Sequence, residues 1–135
     1  MRTIFVAEIE SLRTILDWIY EQLLPMEFDT RAHRQIELAC EEAFVNIMRH
    51  AYRNLPEKVE VDVKVFPKSH VEIMIIDHGP PFNPLERPAP DLTLPLEERE
   101  IGGLGVHFIR QNVDEVRYKR EGKFNILVLV KHGKR

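Results

Sequence analysis

The chain is poor in several things that would each point to a function. It has one cysteine, Cys40, so an internal disulfide and a structural zinc site built from cysteines are both excluded. No apolar run approaches the length needed to cross a bilayer, and Glu8 arrives too early in the N-terminal stretch for a signal peptide, so a cytoplasmic protein with no membrane partner is expected. A large excess of either charge is missing too, since 19 basic side chains nearly balance 22 acidic ones. The formal net charge is -3, the pI is near 6.1, and the basic residues are scattered, which gives no electrostatic drive toward nucleic acid. No internal repeat, low-complexity tract or domain linker stands out.

What is there fits one domain spanning residues 1–135, with 44% apolar residues to build a single core. Thr3 to Val6 reads as a short strand. Leu12, Ile15, Leu16, Ile19 and Leu23 then recur at helical spacing until Pro25. Trp18 and Tyr20 lie off that stripe; they form either a contact surface for another chain or aromatics folded onto the protein's own rim.

A second helix starts at the Asp29-Thr30 cap and is expected to run to about Tyr52, before Asn54-Leu55-Pro56. At about 100° per residue, Ile36, Cys40, Ala43, Ile47 and Ala51 form its buried stripe. Glu42, Asn46 and His50 follow one another four residues apart along the edge of that stripe. Such a row is either a solvated flank or the wall of a site that holds a ligand or metal.

Val59, Val61, Val63 and Val65 alternate with polar residues, and Val71, Ile73 and Ile75 do so again after a turn at Pro67-Lys68-Ser69. Parity places Asp77 on the core-facing side of the second strand. A carboxylate there needs hydrogen-bond donors, from a ligand's amino group or from the turn that follows. Residues 80–101 are rich in proline and lack apolar periodicity, as a functional lid would. Gly102-Gly103-Leu104-Gly105 then opens a helix carrying Val106, with backbone N–H groups suited to phosphate oxygens. A hairpin turning at Glu121-Gly122-Lys123 closes the chain, and Phe124 to Val130, apolar on both parities, reads as an interior strand. The order β-α-α-β-β-loop-α-β-β predicts an α+β fold with one sheet and its helices on one face.

Three signals thus stand in fixed order: Glu42-Ala43-Phe44-Val45-Asn46 with His50-Ala51-Tyr52, then Asp77-His78-Gly79, then Gly103-Leu104-Gly105. Their order resembles the Bergerat-type ATP-binding fold of the GHKL superfamily, and within it the small anti-sigma factor serine kinases. Val113-Asp114-Glu115-Val116 is also similar. The resemblance implies a two-layer α/β sandwich with a mixed, mostly antiparallel sheet of about five strands and three helices on one face. It also implies ATP/ADP and Mg²⁺ as cofactors, an anti-anti-sigma antagonist protein as serine substrate, a sigma factor as second partner, and a homodimer.

By the same resemblance Asn46 would coordinate Mg²⁺ and Glu42 would be the general base. Asp77 would accept from the adenine amino group, and Gly79 would let the base approach the backbone. Gly102, Gly103, Leu104, Gly105 and Val106 would hold phosphates beneath the lid, and His50 and Phe82 would border the nucleotide. Three departures mark this chain. Ile101 stands where kinases of the family often carry arginine, with Arg99 two residues earlier. Asn125 follows Phe124 where Gly-Thr is common near the adenine, and prolines follow Gly79 in place of glycines. The alternative to a kinase is a non-catalytic module that binds nucleotide to switch its affinity for a protein partner.

Overall fold

The computed structural model describes residues 1–86 and 103–133, the side chains of Glu86 and of residues 103–106 excepted. Residues 87–102 hold most of the expected lid, with Arg99 and Gly102, and lie outside the described residues.

Strand β1 (Arg2–Ala7) leads through a 3-10 turn into α1 (Leu12–Leu23), and a second such turn at Leu24–Met26 precedes α2 (Thr30–Asn46). The expected cap is present: the Asp29 carboxylate accepts a hydrogen bond from the Ala32 N–H at 2.8 Å, satisfying one of the donors a helix start leaves open. The helix does not keep one geometry to Tyr52. From Ile47 to Ala51 it widens into a π-helical turn, and the Tyr52 N–H reaches back to the Ile47 carbonyl. Arg53 and Asn54 then take positive φ, which ends it.

The hairpin of β2 (Glu57–Phe66) and β3 (His70–Asp77) follows, then α3 (Gly103–Asn112) and the hairpin of β4 (Glu115–Glu121) and β5 (Phe124–His132). Gly122 turns that last hairpin with φ of +58°, a conformation open to glycine at little cost. The five strands lie in the order β1-β2-β3-β5-β4, and β5 is interior as its double-sided apolarity requires. Every pairing among the described residues is antiparallel, so the parallel component of the expected mixed sheet is absent there.

Alternation decides which face is covered. Val59, Val61, Val63, Val71, Ile73, Ile75, Leu127 and Leu129 are buried beneath the helices, joined by Ile15 and Ile19 of α1, Ile36, Cys40, Ala43 and Phe44 of α2, and Ile109 of α3. Each of the valine, leucine, isoleucine and phenylalanine side chains contributes about 1.5–3 kcal/mol by leaving water. Burial pushes the Cys40 thiol up to about 12, so it packs as a small apolar group and is not a nucleophile. Trp18 joins this core edge-on to Phe5, with ring centroids 5.7 Å apart, and Tyr20 lies 4.6 Å from the His33 ring. Both aromatics are therefore engaged within the chain.

Candidate nucleotide site

The end of β3, the start of β5, the last turns of α2 and the segment after Gly79 meet at one end of the sandwich. They form a pocket lined by Ala43, Asn46, Ile47, Asp77, Phe82, Pro84, Tyr118, Asn125 and Leu127. Its walls are mostly apolar with a few convergent polar groups, the usual composition of a small-molecule site.

Asn46 is 6% exposed, deeper than the edge position its spacing suggests. Its Nδ2 has no hydrogen-bond partner among the described residues. An orphaned buried amide costs free energy unless a ligand or water completes it, so this side chain fits a site that holds a polar group. Glu42, one turn earlier, is half-buried and does not line the pocket. Burial, then the neighbouring Glu41 charge, push its carboxyl above the usual range, while Arg49 acts in the opposite direction. His50 reaches the pocket through Phe82, whose ring stacks on it with centroids 5.1 Å apart and planes 17° from parallel. The π-helical turn carries His50 at the point where the helix borders the site.

Asp77 is 5% exposed and lies on the helix-facing side of β3, as parity requires. Its donors come from the protein. The Gly79 N–H donates to Oδ1 at 2.9 Å, and the Asn125 Nδ2 donates to the same oxygen at 2.8 Å. Desolvation still dominates and raises its pKa, with those two bonds and the charges of His78 and Arg120 opposing.

Gly79 packs against the second helix. A Cβ on it would meet Ala51 of the π-helical turn, so what its hydrogen atom admits is the end of the second helix. Tyr52 completes that junction by accepting from the His78 N–H at 3.1 Å and donating to the Lys58 carbonyl. Asn125, at the start of β5, donates through Nδ2 to Asp77 and to the Pro80 carbonyl. Gly103, Leu104, Gly105 and Val106 form the first turn of α3. Sequence reasoning missed Tyr118 and Arg120. Tyr118 shares a face with Val116 by alternation, a signal that was present; nothing in the sequence marked Arg120.

A family model for the histidine kinase-like ATPase domain matches residues 5–131. The chain belongs to this family. Among similar proteins, serine/threonine-protein kinase BtrW of Bordetella bronchiseptica is 25% identical over 119 residues, covering 87% of this chain and 83% of its own. Serine-protein kinase RsbW of Bacillus thuringiensis is 27% identical over 97 residues, covering 69% of this chain. The fold is shared with the solved RsbU and RsbW domains of a Mycobacterium tuberculosis protein, at a TM-score of 0.67 and 16% identity over the whole of this chain. The aligned region spans 60% of the Bacillus kinase and 33% of the mycobacterial chain. No described helix is long and apolar enough to cross a membrane.

Proposed function

We propose that the chain is an ATP- and Mg²⁺-dependent protein-serine kinase that works in partner switching, phosphorylating a small anti-anti-sigma antagonist and, in another state, sequestering a sigma factor. The observation that carries the nucleotide reading is the pocket shared by Asp77 and the orphaned Asn46 amide. The names of the relatives, serine and serine/threonine kinases, support the transfer reading.

In this reading Oδ2 of Asp77 accepts from the adenine amino group, because both protein donors meet Oδ1. Phe82 and Leu127 supply apolar walls for the base. Asn46 turns its amide toward the phosphates, where its oxygen would hold Mg²⁺ without adding charge. When bound, the metal neutralises charge on the triphosphate. The first turn of α3 presents N–H groups of Gly103 to Gly105 to phosphate oxygens. Glu42 takes the proton of the substrate serine as its oxygen forms a bond to the γ-phosphorus and the bond to the β-phosphate oxygen breaks, releasing ADP. A raised pKa makes Glu42 a stronger base than an ordinary carboxylate.

The position of Glu42 outside the pocket lining favours a second reading, a nucleotide-dependent binding module without transfer. Calorimetry with ATP, with and without Mg²⁺, followed by a search for phosphate on the serine of a candidate antagonist, separates the two. Binding with transfer supports the kinase, and binding with no transfer to any candidate supports the module. Absence of binding sinks both.

A further inference from the structure

Asn125 joins elements that are distant in sequence. It is 3% exposed at the second position of β5 and bonds with every polar atom of its amide. Nδ2 donates to Oδ1 of Asp77 at 2.8 Å and to the Pro80 carbonyl at 2.9 Å. Oδ1 accepts from the Tyr118 hydroxyl at 2.5 Å and from the Phe82 N–H at 3.3 Å. The reverse orientation would press Oδ1 against a carboxylate and a carbonyl, so the network fixes the amide one way round. Arg120 adds to it, with Nη1 donating to the Gly79 carbonyl at 2.7 Å and to Asn125 Oδ1 at 3.3 Å.

We propose that Asn125, oriented by Tyr118, is a positioning residue that sets purine selectivity by holding Asp77 with one carboxylate oxygen occupied and the other presented to the 6-amino group of the base. The inference rests on the nucleotide reading above and deepens it. An unheld carboxylate at a strand end samples rotamers and accepts from water. A carboxylate tied at Oδ1 by a side-chain amide and a backbone N–H has one oxygen left, in one place. The same amide binds the backbone at Pro80 and Phe82, so the segment that brings the Phe82 ring to the pocket is fixed by the group that orients Asp77. Tyr118 acts one step further back. Its hydroxyl donates to Oδ1 beside the Phe82 N–H and Arg120, and so helps to hold Nδ2 toward Asp77.

The test is calorimetric titration of ATP and of inosine triphosphate, which carries a 6-oxo group in place of the amino group, against the parent, Asn125→Ala and Tyr118→Phe, with thermal melts to establish folding. The parent is expected to prefer ATP. Asn125→Ala should lower the ratio of the two affinities by about tenfold or more, and Tyr118→Phe should lower it by about threefold, the range for one lost hydrogen bond to a charged or neutral partner. A general loosening of the fold would weaken both nucleotides together and leave the ratio unchanged. A folded Asn125→Ala that keeps the parent ratio overturns the inference. If Asn125→Ala does not fold, Tyr118→Phe decides, and an unchanged ratio there overturns it as well. A parent that binds neither nucleotide, or does not separate them, instead overturns the reading of Asp77 as the base acceptor, a failure visible before any variant is made.

Discussion

A Cβ built on Gly79 would lie 2.8 Å from the carbonyl oxygen of Ala51 and 2.9 Å from its Cβ. Real Cβ atoms do not approach a backbone carbonyl so closely, and neither partner is a flexible side chain that can swing away. The turn after β3 is therefore fitted to the π-helical turn at the end of the second helix. Gly79→Ala should cost about 1–3 kcal/mol of stability, the usual range for forced overpacking. Urea denaturation measures this, and a loss under 0.5 kcal/mol (roughly the spread of neutral surface substitutions) would show that the two turns are not in contact.

Asp77→Asn should separate stability from recognition. In the pH interval between the ordinary carboxylate value and the raised value of Asp77, the folded protein keeps a proton that the unfolded chain has lost. Stability therefore falls as pH rises through that interval. The amide carries no charge to desolvate and keeps an oxygen for Gly79 and Asn125, so the variant should melt higher at neutral pH and lose that decline. It should also bind ATP at least tenfold more weakly, about one charged hydrogen bond. Melts across pH, paired with ATP titration, check both halves.

Glu42→Gln should retain nucleotide binding and lower transfer by about 10²–10⁴-fold, the usual contribution of a general base. The transfer rate of the parent should rise with pH through a limb displaced above the ordinary carboxylate range. Because Glu41 raises the Glu42 pKa and Arg49 lowers it, Glu41→Gln should move that limb down and Arg49→Gln should move it up. An unshifted limb in both would detach it from Glu42.

Asn46→Ala removes the buried amide that lacks a partner. ATP binding in the presence of Mg²⁺ should weaken by about tenfold or more, while binding with the metal chelated should change little. Equal weakening under both conditions would assign Asn46 to the base or sugar and away from the metal.

Much of this was legible in the chain. The Asp29 cap, the stripe from Ile36 to Ala51, the alternation of the valines and the parity of Asp77 depend on neighbours a few residues away, which is the range over which periodicity carries information. The site was legible as a set of residue types in order. Its internal bonding was not. Phe124 to Val130 is apolar on both faces, so alternation left open which side Asn125 takes. The π-helical turn was equally hidden, because a repeat of 100° per residue cannot show where a helix widens.

By itself, then, the sequence determined the elements, the covered face of the sheet and the presence of a carboxylate at a buried strand end. Only the tertiary structure decided what that carboxylate touches. Asp77 and Asn125 lie 48 residues apart and meet because β5 inserts between β3 and β4. Gly79 meets Ala51 because the end of β3 and the end of the second helix converge at the same edge of the sandwich. Hydrogen bonds and steric contacts act over a few ångströms in space, so which residues they join is set by how the elements pack and not by the period within any one of them.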